Sequence, residues 1–324
     1  MTTILTEADL ATLALPIEQM RAAVEAGLIA HASGEAIAEP TVSFHPKPDQ
    51  NDMITVVRGA LPVQDLALVK TVGGFPENAS HGLATNPGCL MLIETQTGQI
   101  TGLLPAATLT TQRTAMVTAI GACLLSHDGP KIVGCIGTEG ISVQAVRYIH
   151  QMMEIQEVRL HGRSPARTER AAVTLSAELG IPVRSSQDWA TCFDGADLLI
   201  DGAARSSNTS EFPTSAIKAG SLTVGFSAFS SFPLGSLQAF DELYFDRWTN
   251  DGFGAVGPHM QASEIRATDF TALIGTMVGQ VENRKSTDLR RLFVHRGLAA
   301  CDLLLAQLYL SEAKARCLGV QVDI

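Results

Sequence analysis

From residue 131 onward, short apolar runs alternate with amphipathic stretches of helical length, and this rhythm leaves few folds open. KIVGCIG is followed by ISVQAVRYIHQMM, and EVRLHG by PARTERAAVTLSAELG. IPVRS, ADLLIDGAA, SLTVGF and ELYFD continue the series of strand candidates. Pro165 at a first turn and Gly180 at the end mark the bounds of the second helix. Strands spaced by helices run parallel, so the sequence predicts an α/β fold with a Rossmann-type, doubly wound parallel sheet.

The first strand-to-helix turn of that series is Gly134-Cys135-Ile136-Gly137-Thr138-Glu139-Gly140. A diphosphate can rest there on backbone N–H groups at a helix N-terminus, so Gly137, Thr138, Glu139, Gly140 and Ile141 are candidates for holding a dinucleotide. The match to GxGxxG is imperfect, because Glu139 holds the second glycine position. A carboxylate beside a diphosphate is tolerated only if it points away. The competing reading, an ordinary glycine-rich turn, is disfavoured by the surrounding βαβ context.

The next strand ends His161-Gly162-Arg163-Ser164. Dinucleotide enzymes that use NAD usually place an acid near this end for the ribose hydroxyls; here Gly162 takes its place. Arg163 and Arg167 suit a 2′-phosphate and Ser164 either ribose. The expected cofactor is therefore NAD or NADP, with NADPH at least tolerated.

Before residue 131 the character differs. Thr6 is placed to cap a helix beginning at Glu7, and Pro16 precedes the amphipathic IEQMRAAVEAGLIAHASG. ITVVRGAL, LALVKTVGG, CLMLIET and ITGLLPA follow as strands without intervening helices, the last two joined through the turn signal TQTGQ. TTQRTAMVTAIGACLLSH (110–127) reads as one helix, broken by Asp128, Gly129 and Pro130. This part is an α+β domain.

A formal net charge of -10 argues against polyanionic partners such as nucleic acid. No apolar run reaches the ~18 residues of a membrane span. The acidic N-terminus carries no basic signal region. The six cysteines form no CxxC pair and lie in apolar stretches, so they read as reduced core thiols of a cytoplasmic protein, with no metal site.

Lys70-Thr-Val-Gly-Gly-Phe-Pro-Glu-Asn78, Gly82-Leu-Ala-Thr85, Thr97-Gly98, Thr111-Gln-Arg113-Thr114-Ala115 and the closing Gly297-Leu-Ala-Ala-Cys-Asp302 together resemble the ornithine cyclodeaminase/mu-crystallin family in order and spacing, over nearly the whole chain. The resemblance implies a Rossmann domain over 126–299. It also implies a substrate-binding and dimerisation domain over 1–125 with the closing helix, 300–324, and hence a homodimer. It implies that Lys70 and Arg113 act in catalysis by gripping a substrate α-carboxylate, a grip that suits an arginine fork and a mobile ammonium. Thr85, Arg113, Ala203, Ala204, Gly225, Phe226, Ser227 and His295 are implied to face the cofactor.

Two departures from the family pattern bear on the reaction. Where cyclodeaminases carry an aspartate as acid/base after a Val-Gly pair, this chain has Ser227, and a serine without a partner is a poor base. That disfavours cyclodeamination and leaves hydride transfer intact. Arg296 stands before Gly297, where the family brings a residue to the substrate side chain, and Arg58 and His45 add further positive or titratable groups. Such a surplus suits a substrate with two acidic groups. The expected reaction is NAD(P)H-dependent reduction of a small-molecule α-imino acid, iminosuccinate to L-aspartate being the leading case. The alternatives are an amino-acid dehydrogenase or cyclodeaminase acting on a monocarboxylate such as alanine or ornithine, and a non-catalytic cofactor or small-ligand binder.

Overall fold

The computed structural model describes residues 1–47, 52–129, 131–203, 212–226, 232, 235–248, 266, 269–280 and 288–324. In chain order the first elements are β1 (Thr2–Ile4), α1 (Glu7–Thr12), α2 (Ile17–Ala32), β2 (Ile37–Ala38), β3 (Val42–Phe44), β4 (Met53–Leu61), β5 (Leu66–Gly74), β6 (Gly88–Glu94), β7 (Ile100–Pro105) and α3 (Ala106–Leu125). Then come β8 (Lys131–Ile136), α4 (Gly140–Met152), β9 (Ile155–His161), α5 (Pro165–Leu179), β10 (Val183–Ser185), α6 (Trp189–Phe193), β11 (Leu198–Asp201), β12 (Leu222–Gly225), β13 (Glu242–Phe245), β14 (Ala272–Leu273), β15 (Arg291–Val294), α7 (Ala299–Ala315) and β16 (Val320–Val322). The chain divides into two compact units, Met1–Arg113 with Gly297–Ile324, and Thr114–Arg296. Among the described residues, no helix is long and apolar enough to cross a membrane.

The first unit is built on a sheet of order β16-β1-β7-β6-β5-β4-β2, with β3 also on β4. Thr6 caps α1 in a reciprocal box with Asp9. The β6–β7 turn is tied by the Glu94 carboxylate, which accepts from the Gln96 and Thr97 N–H groups. One face of the sheet is covered by α7, which packs on α2 and β4. α7 is apolar nearly all round and buried along most of its length, as such a pattern requires. The other face carries Ile54, Val56, Met91 and Ile93, only half-buried, and Val42 and Phe44 on β3, each 49% exposed.

Helix α3 starts at Ala106, directly from β7, rather than at 110 as the sequence suggests. Arg113 is therefore two turns inside the helix. The macrodipole fades within the first turn, so the helix start does not oppose a cation at this position; a carboxylate described below holds it. The cysteines also differ from expectation. Cys135, Cys192 and Cys301 are buried, but Cys89 lies on the open face of β6 and Cys317 in a left-handed turn after α7, both exposed.

The second unit holds a sheet of order β10-β9-β8-β11-β12-β15-β13-β14, parallel at every pairing. β8 is followed outward on one side by β9 and β10, and on the other by β11 and β12. The strand order reverses between β8 and β11, the place where doubly wound sheets open a crevice at the carboxyl ends of their strands. An aromatic-rich cluster including Trp189, Phe193, Phe212, Phe232 and Phe245 fills the core beneath.

Candidate active site

In the first unit, antiparallel pleating decides which side chains can meet. Lys70 on β5 lies opposite Val57 of β4, and Leu68 opposite Gly59. A Cβ on Gly59 would stand 2.5 Å from the Ala299 Cβ, so this face of the sheet is the one α7 covers. Lys70 thereby points at α7 and is buried. Its Nζ donates to Asp302 Oδ2 at 2.8 Å and to Thr110 Oγ1 at 3.3 Å. Arg113 reaches the same carboxylate, Nε to Oδ1 at 2.9 Å and Nη2 to Oδ2 at 3.5 Å. Two cations from β5 and α3 thus converge on one carboxylate from α7, all three buried.

Burial pushes the Lys70 ammonium down to about 8, against the pull of Asp302, and neighbouring Arg113 pushes the same way. Burial works against the Asp302 charge as well, but Arg113 and Lys70 outweigh it and hold its carboxyl below the ordinary range. Gly297 completes the arrangement. It has φ +95°, and a Cβ there would fall 1.8 Å from Arg113 Nη1. Glycine is needed both for the backbone conformation and for the space the guanidinium occupies.

Arg58 and His45 do not join this cluster. Arg58 is the neighbour of Val57 in the strand, so it emerges on the opposite face, nearly half exposed, with Glu39 at 3.9 Å. His45 follows β3 and is exposed, its Nδ1 bonded to the Asp52 carbonyl at 2.8 Å. β3 pairs with the amino half of β4, where Phe44 meets Ile54, so His45 lies about 13 Å along the sheet from the Val57 position. Arg296, in the second unit, is exposed, and its backbone N–H donates to Asp246 Oδ2 at 3.0 Å. Thr85 is half-buried in the loop before β6, its carbonyl accepting from Phe75 N–H.

The cofactor candidates of the second unit gather at one edge of its sheet. Gly137 follows β8, Ala203 follows β11, Gly225 ends β12 with Phe226 next, and His295 follows β15. All are at the carboxyl ends of neighbouring parallel strands. Gly137 (φ +120°) and Gly202 each leave space for the Ser142 hydroxyl, so the loops after β8 and β11 close on the first turn of α4. Glu139 is the N-cap of α4 and makes no side-chain cap bond, leaving the first N–H groups of α4 for an anion. These residues fit a dinucleotide.

Glu139 instead pairs with Arg167 in the first turn of α5. Gly140 and Ile141 open α4, and Ser164 caps α5 by accepting from Arg167 N–H. Gly162 is half-buried and Arg163 exposed. His295 is buried, stacked on Phe293, with Nε2 2.9 Å from Thr118 Oγ1. Ala204 and Ser227 lie outside the described residues. Among the described residues, no three His, Cys, Asp or Glu side chains cluster as a metal site would require.

The sequence reading did not assign Asp302 a role. The signal available was a lone carboxylate in the apolar run AACDLLLAQL, which has to be paired if the helix is buried.

Over residues 2–315 the sequence matches the ornithine cyclodeaminase/mu-crystallin family. A Delta(1)-pyrroline-2-carboxylate/Delta(1)-piperideine-2-carboxylate reductase of Azospirillum brasilense is 28% identical over 229 residues, 67% of this chain and 71% of that one. Matches to some other relatives span 52–60% of those proteins. Thermococcus litoralis Delta(1)-pyrroline-2-carboxylate reductase, solved in complex with NADH and L-proline, has a TM-score of 0.88 at 20% identity, covering 99% of this chain and 100% of that one. The iminosuccinate reductase of Paracoccus denitrificans, solved with NAD+, has a TM-score of 0.86 at 20% identity, covering 100% of this chain and 99% of that one. At this identity the likeness is one of fold.

Proposed function

This chain belongs to the ornithine cyclodeaminase/mu-crystallin family, and on that premise we propose that it is an NAD(P)H-dependent reductase of α-imino acids. The observation that carries the reading is the buried Lys70–Asp302–Arg113 cluster. Burial outweighs the help Lys70 receives from Asp302, so its charge is under-compensated. An α-carboxylate brought to Lys70 and Arg113 relieves that deficit. A reduced nicotinamide supplies the hydride when bound. Lys70, still largely protonated at neutral pH yet a readier donor than a solvated ammonium, holds the carboxylate and gives the proton that the imine nitrogen takes up. Arg113 fixes the carboxylate plane. The names of the relatives support an imine as the substrate.

Within this class we propose iminosuccinate, with Arg296 reading the second acidic group. Arg58 and His45 lie in the open, away from the buried cluster, which leaves Arg296 as the residue that favours a dicarboxylate. A monocarboxylic cyclic imine is the second reading, favoured by the names of the sequence relatives. The test is cofactor oxidation with oxaloacetate plus ammonia and with Δ1-pyrroline-2-carboxylate, in wild type and Arg296→Val. Arg296→Val is expected to lower kcat/KM for the dicarboxylate by about tenfold or more and to spare the cyclic substrate. An unchanged ratio between the two substrates rules out the dicarboxylate reading while leaving the reductase reading in place.

The half-exposed apolar face of the first sheet supports a homodimer formed through β3–β6. A molar mass by light scattering close to the 34.3 kDa of one chain would exclude it.

A further inference from the structure

The acid that NAD-type Rossmann domains place after the second strand is missing at Gly162, and the structure gives a steric reason. A Cβ on Gly162 would lie 2.7 Å from Thr138 Cγ2 and 3.0 Å from Thr168 Oγ1. The glycine loop after β8 thus settles onto the end of β9 and occupies the space an acidic side chain would need. The residue after Thr138 is Glu139, and its carboxylate does not turn toward the diphosphate position at the start of α4. Arg167 draws it across to the first turn of α5. That turn begins immediately beyond the end of β9, where general Rossmann geometry puts the adenosine ribose. The pair thus turns a carboxylate from the neighbouring loop toward the first turn of α5, just beyond the end of β9. It also occupies Arg167, one of the two arginines otherwise suited to a 2′-phosphate.

We infer that Glu139, oriented by Arg167, replaces the missing strand-end acid as the group that reads the ribose 2′-hydroxyl, and so makes this protein prefer NADH to NADPH. The inference rests on the reductase reading and deepens it. A carboxylate accepts a hydrogen bond from a free 2′-hydroxyl and repels a 2′-phosphate. Arg167 keeps the carboxylate away from the diphosphate, which answers the electrostatic objection to an acid in the glycine loop. Arg163 next to the site is exposed and leaves room for some NADPH binding.

Both members of the pair are more than half exposed, with side-chain exposures of 60% and 63%, so substitutions here leave the fold intact. The experiment titrates the full-length protein with NADH and with NADPH, reading dissociation constants by calorimetry or fluorescence, for wild type, Glu139→Gln and Glu139→Gly. Wild type is expected to bind NADH at least about tenfold more tightly than NADPH, and both variants to shrink that ratio by about tenfold, as suits one lost charged hydrogen bond and one lost repulsion. Wild type that prefers NADPH, or variants that bind both cofactors with an unchanged ratio, overturn the inference. Wild type that binds neither cofactor overturns the reductase reading itself, so the two failures are distinguishable.

Discussion

Arg113→Ala lowers kcat/KM for an imino acid by roughly 10²–10³ and leaves the fold standing. The magnitude follows from losing a forked, charge-assisted grip on a carboxylate, where each charged hydrogen bond contributes about 1.5–3 kcal/mol. The fold survives because Asp302 keeps Lys70 as its partner, and the remaining pair is neutral. The same variant carries an internal check in its pH profile. In wild type, kcat/KM falls as pH rises through about 8, where Lys70 of the free enzyme loses its proton. Stability from this group moves the other way. The unfolded chain keeps the lysine proton up to its ordinary value near 10.5, so between about 8 and 10.5 the unfolded state binds more protons and the fold gains stability with pH. The falling limb is therefore not unfolding. Arg113 is one of the causes that depress Lys70, so in Arg113→Ala the limb shifts to higher pH. Wild-type kcat/KM in the variant would show that Arg113 does not hold substrate.

Asp302→Asn damages stability more than any other single change at the site. The shape is kept, but Lys70 and Arg113 lose the carboxylate they share inside the first unit. Removing one partner of a buried ion pair costs about 3–5 kcal/mol, here because the Lys70 charge loses the carboxylate that compensates it. In a unit of this size that corresponds to a fall in Tm of roughly 10 °C. Lys70 is pushed further down, since the charge that raised it is gone and only a neutral amide oxygen remains to accept its hydrogen bond. Adding Lys70→Met to Asp302→Asn removes one stranded cation and is expected to recover part of the lost Tm while leaving the protein inactive. An Asp302→Asn protein that melts with wild type would mean that the cluster is not a buried charge centre.

The parts of this architecture that were legible in the sequence are those whose signal is local. Alternation of strands and helices from residue 131 gave the parallel sheet. β5 matches LALVKTVGG residue for residue, and α5 runs from its first-turn proline to the glycine that ends it. What was not legible depends on pairing across the chain. β15 is not among the strands that the alternation picks out; Arg291 at its start is buried on Glu242, and the strand is inserted between β12 and β13. Asp302 stands in the closing motif, but no local signal shows its partner, since Lys70 lies 232 residues away. Arg58 shows a related limit. A cation in a strand adds to a count of positive charge, but which face each residue occupies depends on its strand parity, and the register of β4 against β5 puts Arg58 and Lys70 on opposite sides.

The close seating of α7 ties distant positions into one rule of inheritance. A Cβ on Gly27 would come within 2.7 Å of the Cys301 backbone, and one on Gly59 within 2.5 Å of Ala299. Asp302 is the next residue along, so whatever lifts α7 also lifts the carboxylate from Lys70 and Arg113. Evolutionary drift at residues 27, 59, 299 and 301 is consequently not free, although none of the four touches the ion cluster. A Cβ at 27 meets backbone, which no substitution shrinks, and the counterparts of 299 and 301 are already glycines. In a set of descendants 27 and 59 should therefore stay glycine and 299 and 301 stay small, while the charges at 70, 113 and 302 stay constant.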